Sequence, residues 1–195
     1  MSQDIRELKK AVRRQANAGR DSLTEEQKAS YSARICEKLL ALPAGRAAQT
    51  IAVYQWMKNE VRLDVAIDAW RARGARVCFP CSVGRRVMYF YDIKAGEMPD
   101  FMVHPGKLFP DADPEKAIPA SEFDMVVIPG VAFDNQRNRC GYGGGFYDTL
   151  MGQLLDTDCF LTAVAYDEQF VDAVPTGHFD RKMPMIVTPT RILCE

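Results

Sequence analysis

The sequence predicts an α/β protein, a three-layer α/β/α sandwich around a mainly parallel sheet preceded by an N-terminal helical pair. Two observations carry this expectation. Apolar residues recur at helical spacing over the first forty residues, and after Thr50 short apolar runs alternate with amphipathic stretches, the pattern of strands separated by helices. The chain is also large enough to hold such a core. At 195 residues with 47% apolar and 26% charged side chains, folding buries roughly 70% of the unfolded surface, which needs no metal or disulfide staple. Without repeats, low-complexity tracts or Gly/Ser linkers, residues 1–195 read as one domain.

Each element follows from its pattern. Ile5, Leu8 and Val12 place an apolar stripe on a first helix over residues 3–18, with Gly19 as its stop. Thr24 and Gln27 form a capping-box pair for a second helix, whose stripe Tyr31, Ile35, Leu39 and Leu42 runs to Pro43. Thr50–Trp56 reads as a strand, Leu63–Arg73 as a helix closed by Gly74, and Arg76–Pro80 as a second strand, together a βαβ unit. Val87–Tyr91 follows as a strand, and residues 92–121, with five prolines and two glycines, read as mostly loop. Asp124–Ile128 is apolar after its first residue, like a strand covered on both faces. A glycine-rich turn, a helix over 143–155, a strand over 159–165 and two short runs, Met185–Thr188 and Arg191–Cys194, complete the chain.

Composition excludes several function classes. Lys plus Arg number 25 against 26 Asp plus Glu, which argues against a polyanion binder. No apolar run nears the roughly 18 residues that span a bilayer, and Met1–Arg20 lacks a signal-peptide core, so the expected address is the cytoplasm. Cys36, Cys78, Cys81, Cys140, Cys159 and Cys194 are expected to be reduced thiols. Cys78-Phe-Pro-Cys81 resembles a redox motif only in spacing, because no helix follows to stabilise a thiolate. Zinc has too few ligands, with one CxxC and with His104 and His178 far apart.

The stretch richest in chemistry is 126–148, where a buried strand gives way to a polar loop and then to Gly141, Gly143, Gly144 and Gly145 before a helix. Such a turn lets backbone N–H groups approach an anion, helped by the helix N-terminus; a tight turn without a ligand is the alternative. It is not a P-loop, having no Gly-Lys-Ser/Thr. The Rossmann fingerprint fails too, because Phe146 replaces the third glycine. Arg137 and Arg139 precede the glycines. Asp148, in the first turns of the helix, either holds a divalent ion against phosphate or offsets the helix dipole. Lys9 and Arg13 share one helical face, able to reach over a cleft edge or to lie solvated. Glu60 follows a strand's carboxyl end, where open α/β sheets bind ligands, although a surface role is open to it. Gly177-His178-Phe179-Asp180 offers a second acid.

The whole pattern resembles the 5-formyltetrahydrofolate cyclo-ligase family. The resemblance rests on Lys9-x-x-Val12-Arg13, Gln55-Trp56-x-x-x-Glu60, Pro129-Gly130-x-x-Phe133-Asp134, the signature Arg139-x-Gly-Tyr-Gly-Gly-Gly-Phe-Tyr-Asp148, and His178-x-Asp180 with the strand ending at Thr188. Cys140 stands where Leu is usual, Phe146 where Tyr is usual, and Phe179 is inserted between the final His and Asp. The resemblance implies a Rossmann-like fold and an enzyme that uses MgATP to convert 5-formyltetrahydrofolate to 5,10-methenyltetrahydrofolate, ADP and phosphate through a phosphorylated formyl group. It implies that Lys9 and Arg13 hold ATP phosphates, with Arg139, Cys140, Gly141, Tyr142, Gly143, Gly144, Gly145, Phe146 and Tyr147 as the nucleotide loop. It implies further that Gln55 and Glu60, with Tyr142 to Phe146, face the folate and that Asp148 and Asp180 bind magnesium. Arg13, Arg139 and Glu60 are the expected catalytic group. The expected partners are these small molecules, with no nucleic acid or membrane and a monomeric state. A non-catalytic nucleotide or folate binder on the same fold is the rival reading.

Overall fold

Helix α1 (Ile5–Asp21) and helix α2 (Glu25–Ala41) open the chain. In the computed structural model, which describes residues 4–178 and 180–195, each begins on a side-chain cap. Asp4 accepts from the Arg6 N–H at 3.0 Å, and Thr24 and Gln27 close the expected capping box in both directions. The expected start of α1 at residue 3 lies outside the described residues. Its end is later than expected, because Gly19 does not stop it. A Cβ at Gly19 would lie 2.3 Å from the Glu168 carbonyl oxygen, so the glycine allows α1 to rest on the turn Asp167–Gln169.

The seated face of α1 also differs from the expected apolar stripe. Leu8 is exposed, whereas Ala16 and Arg20 are buried and Lys9 and Arg13 are half-buried. Residues 9, 13, 16 and 20 form one helical row, and the inward row is therefore basic with Ala16 at its centre. α1 and α2, expected as a pair, serve different parts of the molecule. α2 packs on α4 (Asp64–Ala72) and β8 (Met185–Val187), while α1 lies against the Asp167–Gln169 turn and β5 (Ala132–Phe133).

The remaining elements are α3 (Pro43–Ala47), β1 (Thr50–Ala52), β2 (Arg76–Gly84), β3 (Val87–Asp92), α5 (Asp100–Val103), β4 (Met125–Ile128), β6 (Arg139–Cys140), α6 (Phe146–Gln153), β7 (Phe160–Val164) and β9 (Ile192–Cys194). Pro43 starts α3 rather than ending the helical region, using the first-turn position where its missing N–H is harmless. β1 is shorter than Thr50–Trp56. β2 is longer than Arg76–Pro80 because its hairpin with β3 extends pairing to Gly84↔Val87. Pro80 is tolerated because it lies beyond the last β1 partner, Cys78, where that side of β2 has become an edge. The small β5–β6 hairpin was not expected.

Strands order as β3-β2-β1-β4-β7-β8-β9, with β2, β1, β4, β7 and β8 mutually parallel and the two edges antiparallel. Alternate residues of β4 feed opposite cores. Met125 and Val127 join Ile35, Leu39, Ile67 and Trp70 of α2 and α4. Val126 and Ile128 join Leu150 and Met151 of α6. Helices thus cover both faces of the sheet, the three-layer α/β/α arrangement expected. A third cluster, Ala16, Ala132, Cys140, Val171 and Val174, seats α1.

Candidate active site

Chain order reverses in the sheet between β1 and β4: β1 leads outward to β2, and β4 leads the other way to β7. Open α/β sheets bind ligands at the carboxyl ends of strands at such a switch point. Here a cleft of about 990 Å³ opens there, with Tyr54 and Gln55 after β1, Pro129 and Gly130 after β4, and the glycine loop all in its wall. α1 crosses one rim. The β2–β3 hairpin and the segment 101–107 form the other.

The glycine loop is held by charges from distant segments. Arg13 Nε donates to the Gly141 carbonyl at 2.7 Å, and its terminal nitrogen lies 3.4 Å from where a Cβ on Gly143 would stand. Arg139, itself buried, binds the Asp148 carboxylate at 2.6 Å and the Pro129 carbonyl at 3.1 Å. Lys9 pairs with Asp180 at 2.5 Å, and the Gly177 N–H donates to the same carboxylate oxygen. Gly145 is the N-cap of α6 in a left-handed conformation, φ +73°, which a β-carbon would strain. The first-turn N–H groups of α6 therefore open at the cleft wall with no side-chain cap.

Glu60 also lines the cleft and is only 5% exposed. One carboxylate oxygen accepts from the Met57 N–H at 2.8 Å, yet burial dominates and raises the pKa above the usual carboxylate value. Around it Tyr54 donates to the Val61 carbonyl at 2.5 Å, and burial pushes the phenols of Tyr54 and Tyr147 well up. Gln55 lines the cleft while its amide donates to the Met102 carbonyl, tying the pocket floor to α5.

The expected residues therefore gather. Lys9, Arg13, Gln55, Glu60, Arg139, Cys140, Gly141, Tyr142, Gly143, Gly144, Gly145, Phe146, Tyr147, Asp148 and Asp180 all line this cleft. Cys140 differs from the rest in that its side chain is 2% exposed and packs beneath α1, leaving its backbone for the loop. Arg137, which precedes the loop, turns away to the Met183 carbonyl and the Glu195 carboxylate.

Residues 5–189 match the sequence profile of the 5-formyltetrahydrofolate cyclo-ligase family. The chain belongs to that family. Among curated relatives, the 5-formyltetrahydrofolate cyclo-ligase of Escherichia coli K12 is 30% identical over 179 residues, covering 89% of this chain and 96% of its own. A probable 5-formyltetrahydrofolate cyclo-ligase of Schizosaccharomyces pombe is 26% identical, with 84% and 86% covered. Among solved structures, the 5,10-methenyltetrahydrofolate synthetase of Mycoplasma pneumoniae superposes with a TM-score of 0.74 at 24% identity, covering 93% of this chain and 98% of that one. The corresponding synthetase of Aquifex aeolicus gives 0.75 at 23% identity, with 95% and 91% covered. These structural likenesses support the fold.

As a cyclo-ligase family member the chain does not present its CxxC as redox chemistry. Cys78 and Cys81 lie three residues apart in β2, so they point to opposite faces with Cα atoms roughly 10 Å apart, beyond the reach of a disulfide. Both are buried, and burial raises their thiol pKa values, that of Cys78 to about 12.

Sequence reasoning missed Arg20 and Arg86. Arg86 lines the cleft with its guanidinium against Gly145, presented by a left-handed residue, φ +62°, in the β2–β3 turn. Two adjacent arginines in a short turn were its only trace in the sequence.

Proposed function

We infer that the chain catalyses the ATP-dependent cyclisation of 5-formyltetrahydrofolate to 5,10-methenyltetrahydrofolate, with release of ADP and phosphate. The observation that carries this reading is one cleft at the sheet's switch point joining a cation-rimmed glycine loop to a buried carboxylate. The first suits a triphosphate and the second the N–H edge of a pterin.

The formyl oxygen is a poor leaving group until it is phosphorylated. In this reading the formyl oxygen attacks the γ-phosphorus, ADP departs, N10 adds to the activated carbon, and phosphate and the N10 proton leave. The protein contributes alignment and charge neutralisation. Arg13, whose terminal nitrogens have no carboxylate partner among the described residues, grips the phosphates with Lys9. Arg139, anchored by Pro129 and Asp148, holds the loop and faces the transferred group. Glu60 and Gln55 orient the folate, and the tyrosines around Glu60 exclude water.

Magnesium fits the donor set in the mode it prefers, one or two carboxylates completed by substrate phosphates and water. Asp148 and Asp180 line the same cleft, each with one carboxylate oxygen engaged by a cation and the other unengaged among the described residues. Bound there, the ion would neutralise charge on the phosphates. No cluster of three metal-ligating acids, histidines or cysteines occurs among the described residues, in keeping with a metal that arrives with its nucleotide. The reading takes the chain as one monomeric catalytic domain of the cytoplasm. Its six unpaired cysteines support that address, and no helix among the described residues is long and apolar enough to cross a membrane. The test is the ultraviolet absorbance of the methenyl product on mixing protein, MgATP and 5-formyltetrahydrofolate. Nucleotide and folate binding with no ATP-dependent product would establish the non-catalytic alternative.

A further inference from the structure

Arg86 stands at the tip of the β2–β3 hairpin, in the short turn between the paired residues Gly84 and Val87. Its backbone is left-handed, φ +62°, a region that residues with a β-carbon seldom adopt and that tight hairpin turns normally give to glycine or asparagine. Burial does not explain an arginine there, because the residue is exposed. Nor does pairing, since its guanidinium makes no hydrogen bond or ion pair among the described residues. The side chain instead lines the cleft and reaches the glycine loop. A Cβ on Gly145 would lie 2.9 Å from Arg86 Nε and 3.4 Å from its Cζ.

Gly143 repeats the arrangement from the other side. Its φ is +103°, and a Cβ there would lie 3.4 Å from a terminal nitrogen of Arg13. The loop therefore gives the side-chain space of Gly143 and Gly145 to two arginines, one carried by α1 and one by the hairpin, which form opposite rims of the cleft. Their charges are not neutralised by the acids beside the loop. Asp148 is engaged by Arg139 and Asp180 by Lys9. Arg13 also spends its Nε on the Gly141 carbonyl, whereas every donor of Arg86 is left for a ligand.

We propose that Arg86 is a phosphate-binding residue, closing on ATP from the hairpin rim opposite Arg13. The proposal rests on the reading of the glycine loop as the nucleotide site. A guanidinium suits the task because its planar fork of donors matches phosphate oxygens, often two at a time. The carboxylates of the folate are the competing anions, and the place of the guanidinium against Gly145 assigns it to phosphate. The same hairpin brings Pro80, Ser82 and Met88 to the cleft wall, so a nucleotide held by Arg86 also steadies that wall.

The experiment compares Arg86→Gly with Arg85→Gly, whose residue is exposed in the same turn but does not line the cleft. Both loosen the hairpin tip, and only the first removes the guanidinium at the loop. Glycine is at ease at φ +62°, so Arg86→Gly should keep the wild-type melting temperature. Its dissociation constant for a non-hydrolysable ATP analogue with magnesium should rise about tenfold, and KM for ATP with it, while KM for 5-formyltetrahydrofolate stays. Arg86→Gln, which keeps the length without the charge, should show the same loss, Arg86→Lys should recover part of it, and Arg85→Gly should bind the analogue as the wild type does. Equal losses in the two glycine variants would make the shape of the hairpin responsible and overturn the proposal. Unchanged analogue binding in Arg86→Gly or Arg86→Gln overturns it too, as does a loss confined to the folate KM, which would give Arg86 to the folate carboxylates. A wild-type protein that does not bind the analogue would strike the glycine-loop reading itself, and the proposal with it.

Discussion

At the glycine-loop end of the cleft, Lys9, Arg139, Asp148 and Asp180 stand as two ion pairs open to the cleft, with Arg13 beside them on a carbonyl. Elsewhere in the same cleft Glu60 is 5% exposed among tyrosines, with the buried Arg20 as the charge that acts on it. The first end is electrostatically rich and partly hydrated, so its acids keep partners that a polyphosphate and its counter-ion can exchange. The second is desolvated, so its one acid is costly to ionise and correspondingly strong as a hydrogen-bond acceptor. A ligand that carries several negative charges suits the former, and a flat heterocycle with an N–H edge suits the latter. The contrast divides the cleft by physics before any ligand is placed.

Removing charge from the open end should produce the largest loss. Asp148→Asn leaves Arg139 without its carboxylate and removes the acid assigned to magnesium, so turnover should fall by about 100-fold or more with circular dichroism unchanged. Near wild-type turnover at saturating magnesium would remove Asp148 from the machinery. Next in size, Arg13→Ala deletes a charge-assisted contact and should cost about 10- to 100-fold in kcat/KM for ATP, with folate affinity largely kept. Added salt should weaken ATP binding in the wild type more than in this variant, because exposed charges are screened. An equal salt response in the two proteins would show Arg13 to be a bystander.

The buried end makes a prediction of opposite sign. The folded-state pKa of Glu60 lies above the unfolded value, so the carboxylate destabilises the fold at pH values above its raised pKa. That penalty fades as the pH falls through the raised value and is gone below the ordinary glutamate value of 4.5. Glu60→Gln keeps an acceptor for the Met57 N–H without the charge. It should therefore melt higher than wild type at neutral and alkaline pH, converge with it in acid, and lose activity at every pH. Parallel melting curves across the whole range would contradict the desolvated character of this end. The smallest effect on activity belongs to neither end. Cys78→Ala combined with Cys81→Ala should cost about 1 to 3 kcal/mol of stability while turnover per folded molecule persists. Turnover that vanishes with circular dichroism intact would reopen the thiol reading.

Much of this was legible in the sequence, for reasons that differ by element. β4 was visible because a strand covered on both faces must be apolar throughout, and Met125–Ile128 is. The glycine loop was visible because few turns need four glycines. β5 and β6 were not, since two-residue strands carry no period at all. The face of α1 was misjudged for a more general reason. Leu8 and Val12 suggested an apolar stripe, but the helix is seated by its basic row, and a sequence cannot distinguish a cation that a cleft needs from one that solvent holds. Lys10 and Arg14 are exposed while Arg20 is buried, and the difference lies in how α1 is seated rather than in the sequence around them. Gly19 was mistaken for a stop because the carbonyl that demands it, at Glu168, is far along the chain.

The seating of α1 also has a consequence for the order in which the molecule is made. Its first helix leaves the ribosome before the rest, yet the partners that fix it come late: Gly141 is 128 residues away and Asp180 171. β1, β2, β4 and β7 with their helices can assemble beforehand, whereas the seating of α1 is complete only when residues near 180 emerge. Closing so long a loop is slow relative to local helix formation. The rim of the cleft is therefore among the last parts to form, and a nascent chain stalled before residue 180 would lack β8 and β9 as well as the partner of Lys9.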